Sequence, residues 1–138
     1  MTLTSSARQP PSERTAPAAS RPLRAAEAAV IRRLLQLEQT VPHLDALLAA
    51  VDSLSVREGC ACGGDSLFFE DPRSVGRPVA RGVGLTTDDL RVEVVLWARA
   101  AVPTFLEIQS LSRPRQIARL PRPESITPYP TDWDSLDW

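Results

Sequence analysis

The sequence predicts an α+β fold in which two N-terminal helices pack on an antiparallel sheet of about four strands. Three observations carry that prediction. Apolar residues recur at three-to-four spacing before Asp52, the period shifts towards two after it, and the residues separating the later runs suit turns. The 138 residues match the size of one domain. Hydrophobic residues at 43% and charged residues at 24% match ordinary globular usage, so one core is attainable.

Residues 1–21 are mostly Ser, Thr, Pro, Ala and Arg, with almost no large apolar side chain. Burial there cannot offset the entropy of ordering, and the segment reads as a disordered arm. A single domain is expected over 22–128, followed by an acidic-aromatic tail over 129–138. At its start Ser20 can cap a helix and Pro22 can occupy an early helical position. Leu23, Val30, Ile31, Leu34, Leu35 and Leu37 then trace one apolar stripe, with Arg32, Arg33, Gln36 and Glu38 between them. This spacing predicts an amphipathic helix to about Gln39. Thr40 and Pro42 repeat the stop-and-start chemistry, and Leu44, Leu47, Leu48 and Val51 mark a second, shorter helix.

After Asp52, Leu54, Val56 and Glu58 lead through Cys60 and Cys62 to Gly63-Gly64 and on to Leu67 and Phe69, the pattern of a β-hairpin. With the glycines as its turn, Cys60 would face Leu67 and Glu58 would face Phe69. Residues 72–89 hold Pro72, Gly76, Pro78, Gly82 and Gly84, which reads as a long connection with one short edge strand around Val79–Val83. Arg91–Ala98 is the strongest strand. Val92, Val94 and Leu96 occupy one face while Val95 and Trp97 occupy the other, a two-sided apolarity that suits a central position. A turn at 100–103 leads to a last strand over Thr104–Ser110.

All sixteen basic residues are arginine, and with seventeen acids they leave a formal charge of −1. Such a balance disfavours nucleic acid and anionic membranes as partners. Arg113, Arg115, Arg119 and Arg122 form a basic stretch, but Pro114, Pro121 and Pro123 interrupt it, and it reads as solvated loop. Two cysteines are too few and too close for a disulfide framework, and no apolar run is long enough for a membrane span. A cytoplasmic location is expected.

Cys60-Ala61-Cys62-Gly63-Gly64 is where residue types invite chemistry. Positions two apart on a strand share a side, so both thiols could serve one ligand. A structural zinc site needs four donors, whereas the chain offers two thiols and one imidazole, His43, leaving Asp65, Glu58 or a partner to complete it. The alternatives are two small core hydrophobes or a redox pair, the latter lacking an obvious basic neighbour. The Cys-x-Cys-Gly segment, with the strand at Ser66–Glu70 and the late Leu106-Glu107-Ile108, resembles a group of small bacterial proteins sharing those features. That resemblance implies an α+β fold over about 40–125 and implies no activity.

Enzyme templates find little to hold them. His43 is the sole imidazole and sits at a helix start beside Pro42. Gly82-Val83-Gly84 lacks the third glycine and following helix of a dinucleotide site, and a chain without lysine has no Walker A motif. Asp88-Asp89 reads as a turn. Glu107 lies on the less apolar face of its strand with no second carboxylate placed opposite it. The tail from Thr131 to Trp138 sets Trp133 and Trp138 among Asp132, Asp134 and Asp137. It could fold back on the domain or dock on another protein. The expectation is therefore a non-catalytic interaction, accessory or immunity-type protein with no cofactor, contacting its partner through Trp133 and Trp138. The alternative is a small zinc- or thiol-dependent protein using Cys60 and Cys62.

Overall fold

A computed structural model describes residues 20–38, 40–57, 65–71, 73–111 and 118–129. Over these residues the chain is mixed α+β. In order they form strand β1 (Ser20–Pro22), helix α1 (Ala25–Leu37) and helix α2 (Leu44–Ala50), which runs into a 3₁₀ turn at Val51–Ser53. Strands β2 (Ser55–Arg57), β3 (Leu67–Phe68), β4 (Arg77–Leu85), β5 (Arg91–Arg99) and β6 (Val102–Ser110) follow, and after a 3₁₀ turn at Pro123–Ser125 the chain ends its described course in β7 (Thr127–Pro128).

The helix expected to begin around Ser20-Arg21-Pro22 starts later, because those residues are a strand, β1, paired antiparallel with β2. Arg24 is the residue before the first helical turn, and its backbone N–H donates to Glu27 Oε1 at 2.9 Å. That carboxylate satisfies one amide that a helix start leaves without a partner. From there the apolar stripe behaves as its spacing predicts. Val30, Ile31, Leu34 and Leu35 are wholly buried, and the helix stops at Leu37.

The main sheet has five strands in the order β3-β6-β5-β4-β7, all pairings antiparallel, beside the separate β1–β2 pair. The sheet is thus larger than the four strands expected. β7 has no counterpart in that expectation, and β4 replaces the anticipated short edge strand by nine residues lying between β5 and β7. Its glycines looked like breakers; they are openings instead. A Cβ on Gly82 would stand 2.8 Å from Ile126 and 2.9 Å from Leu34, and one on Gly84 would stand 2.8 Å from Pro121. Missing side chains here let α1 and the 118–126 segment lie close on the strand. Pro78 stands at a register shift in β4, beyond the two residues, Gly82 and Val83, that β7 covers, where its absent N–H costs no ladder bond.

The two arms of the expected Gly63-Gly64 hairpin fall in different sheets. β2 pairs with β1, whereas β3 pairs with β6 through Leu67 opposite Leu106 and Phe68 opposite Phe105. Residues 58–64 lie outside the described residues. β5 is central, as its apolarity on both faces predicts. Its inner row of Val92, Val94, Leu96 and Ala98 meets Leu106 and Ile108 of β6 and Ala80 of β4, and α1 closes this core with Leu47, Val51 and Ile126. Covering one sheet face with helices leaves the opposite face to other uses.

Candidate functional site

The sheet face opposite the helices, left uncovered among the described residues, gathers charge and aromatic surface in one place. Side chains alternate along a strand, so burying Val94, Leu96, Leu106 and Ile108 inward necessarily turns Glu93, Val95, Trp97, Phe105, Glu107 and Gln109 outward. Register then sets neighbours. Arg81 faces Val95, which faces Glu107; Val83 faces Glu93, which faces Gln109; and Pro78 faces Trp97, which faces Phe105. Pro78, Arg81, Glu93, Val95, Trp97, Glu107 and Gln109 line a concavity of about 340 Å³. That volume lies at the lower end of the range of small-ligand and side-chain pockets.

Polar contacts hold these side chains in place. Arg81 Nη2 donates to Glu93 Oε2 at 2.7 Å, and its guanidinium lies 3.9 Å from the centre of the Tyr129 ring. The hydrogen bond that Glu93's carboxylate accepts from it, reinforced by the carboxylate's charge and by Tyr129, holds the guanidinium above its ordinary pKa against partial desolvation. Trp97 Nε1 donates to Glu107 Oε1 at 3.1 Å, and Gln109 Nε2 donates to Glu107 Oε2 at 2.7 Å. Beside them Phe68 and Phe105 stack with ring centres 4.1 Å apart and planes 6° from parallel. Val95 is the buried floor between the two carboxylates.

No protein-family model, curated protein or solved structure matches the chain. Each carboxylate already accepts a hydrogen bond and each ring is fixed by a neighbour, an arrangement suited to presenting a preset surface.

The residues singled out from sequence fare differently. Cys60 and Cys62, Glu58, and the tail tryptophans Trp133 and Trp138 lie outside the described residues. Asp65, a suggested fourth metal ligand, is engaged elsewhere: its Oδ2 accepts the Leu120 backbone N–H at 2.6 Å and its Oδ1 lies 3.6 Å from Arg119. His43 is exposed at the start of α2 in a left-handed conformation with φ 60°, and its carbonyl, not its imidazole, accepts the Leu47 N–H. Asp88 and Asp89 form the turn between β4 and β5. There Thr86 Oγ1 accepts the amides of Asp88 and Leu90, and Asp89 pairs with Arg122 at 3.1 Å. Of the basic stretch, Arg119 and Arg122 are thus both paired with acids.

Sequence reasoning missed the Arg81–Glu93–Glu107 grouping. Glu93 does stand near Glu107 across the strands, displaced by two residues from the position directly opposite. The available signal was the alternation itself, which put Glu93 on Trp97's face of β5 and Glu107 on the corresponding face of β6.

A second concavity, of about 410 Å³, lies near the start of α1 and is lined by Arg21, Arg24, Ala26, Glu27, Asp65, Leu67 and Leu120. Glu27 is buried there and receives Arg21 Nη1 at 2.9 Å and Nη2 at 2.8 Å. Burial pushes its carboxyl pKa up, but the Arg21 and Arg24 hydrogen bonds and charges together outweigh burial and hold it below the ordinary value. This arrangement fastens β1 to α1, because Arg21 belongs to one and Glu27 to the other.

Among the described residues no helix is long and apolar enough to cross a membrane.

Proposed function

We propose that this chain is a non-catalytic protein-interaction module, of accessory or immunity type, whose recognition surface is the uncovered face of the five-stranded sheet. The observation that supports this reading is the fixed cluster of Trp97, Glu107, Gln109, Arg81 and Glu93 around the concavity. Recognition surfaces draw their binding energy from a few aromatic and arginine side chains held in place before the partner arrives. Trp97, the stacked Phe68–Phe105 pair and Arg81 over Tyr129 supply both residue types on one face. The reading also takes in the tail, since Tyr129 sits at the edge of this face and Trp133 and Trp138 follow it in the sequence. Those two tryptophans are proposed as a second contact with the same partner, in the cytoplasm of a bacterial cell.

The test compares partner capture by the full chain, by Trp97→Ala and by a chain lacking residues 130–138, each checked for folding by circular dichroism. Loss of a reproducible partner with Trp97→Ala supports the reading. Equal capture by all three moves recognition away from both the sheet face and the tail.

A further inference from the structure

We propose that the concavity on the uncovered sheet face takes an arginine side chain of the partner protein, seated against the Trp97 indole and paired with Glu107. This rests on the reading of that face as a recognition surface and names what it recognises.

Charge complementarity carries the argument. The lining holds two carboxylates and one guanidinium, and the guanidinium is committed: Arg81 pairs with Glu93 at 2.7 Å and is held over Tyr129. Arg81 and Glu107 are also separated across the strands by Val95, so one arginine does not bridge both acids. Glu107 receives only neutral donors, the Trp97 indole N–H and the Gln109 amide. Among the described residues no cation pairs with it. Each of its oxygens has spent one acceptor site and retains another.

The two neutral donors orient the carboxylate, and the bond to Glu107 ties the indole beside it. A partner cation is therefore offered a carboxylate and an aromatic ring side by side. Guanidinium suits that pairing better than ammonium, because its planar fork bonds a carboxylate while its face stacks on an aromatic ring. The chain's own acidic tail is a poor occupant on the same grounds, since Asp132, Asp134 and Asp137 would add charge of the same sign as Glu107.

The test uses the full chain carrying Trp133→Phe and Trp138→Phe, so that Trp97 is the only tryptophan, titrated with a short neutral-capped peptide containing one arginine. Matched peptides carry citrulline or lysine in its place. A saturable change in Trp97 fluorescence is expected with arginine, a weaker one with lysine, and none with citrulline at the same concentrations. Glu107→Gln, which keeps the shape and removes the charge, should weaken arginine binding roughly ten-fold, the scale of one charge-assisted hydrogen bond. An equal response to citrulline, no saturable response to arginine, or unchanged affinity in Glu107→Gln overturns the proposal. If the arginine peptide fails while partner capture still depends on Trp97, the arginine assignment falls and the recognition surface stands. If the peptide binds as described but partner capture ignores Trp97, the site stands and the recognition reading falls.

Discussion

Cutting the ion pair between Arg21 and Glu27 probes how the first strand is secured to the rest of the fold. Glu27 is 5% exposed and accepts three hydrogen bonds, two from Arg21 and one from the Arg24 amide at the helix start. Arg21→Ala leaves a buried carboxylate with only the amide bond. A charge-assisted hydrogen bond contributes about 1.5–3 kcal/mol, and the remaining solvent access of Arg21, 21% of its side chain, argues for the lower part of that range. We therefore expect a loss of about 2 kcal/mol. Glu27→Ala removes the same pair and the helix-start bond as well, so about 3 kcal/mol is expected once a capping contribution of about 1 kcal/mol is included. The double variant should cost little more than Glu27→Ala alone, giving a coupling energy of about 2 kcal/mol from the double-mutant cycle. Guanidinium denaturation followed by circular dichroism at neutral pH reads all four proteins. Losses that simply add, with a coupling below about 0.5 kcal/mol, would refute the claim that this pair fastens β1 to α1.

The same site has a pH signature whose sign follows from its lowered carboxyl pKa. Because Glu27 ionises more readily folded than unfolded, its contribution is fully present above the ordinary carboxylate range and is lost as pH falls through the folded-state value. Denaturation midpoints of the natural chain should accordingly fall more steeply under acid than those of Glu27→Gln; parallel curves would contradict it. Gly76 has φ +82°, and a Cβ there would collide with the Ala98 carbonyl oxygen, so Gly76→Ala should cost at least about 2 kcal/mol by combined strain and overpacking, measured by chemical denaturation. Ala100, with φ 54°, opens the two-residue turn joining β5 to β6, and Ala100→Gly should raise stability by about 0.5–1 kcal/mol, visible as a rise of a few degrees in Tm. Asp71 is held at about 2 by Arg73, first through the side-chain hydrogen bond and then through the backbone amide. Carboxyl-carbon NMR titration should show that midpoint move up towards 3.8 in Arg73→Ala.

Two kinds of information separate in this molecule. Local periodicity by itself determined α1, β5 and β6. Val30, Ile31, Leu34 and Leu35 repeat at helical spacing and are buried together, and the alternation through Val92–Trp97 and Thr104–Ser110 assigns the correct faces. These are properties of a segment and its neighbours along the chain, which is why they are legible there. Tertiary structure alone decided which strands pair. Nothing in Ser20–Pro22 announces a strand, since its partner β2 lies more than thirty residues away and the pairing is made by backbone groups that every sequence possesses. The glycines of β4 carry opposite meanings in the two views. In sequence they break strands, and in the fold they admit Leu34, Ile126 and Pro121. The candidate site shows the same division. Alternation put Glu93 and Trp97 on one face and Glu107 on the corresponding face of the next strand, but only the register of β4, β5 and β6 gave Arg81 to Glu93 and left Glu107 with neutral donors. A shift of one residue would turn that whole set into the core, so the chemistry of this face depends on the packing of the other.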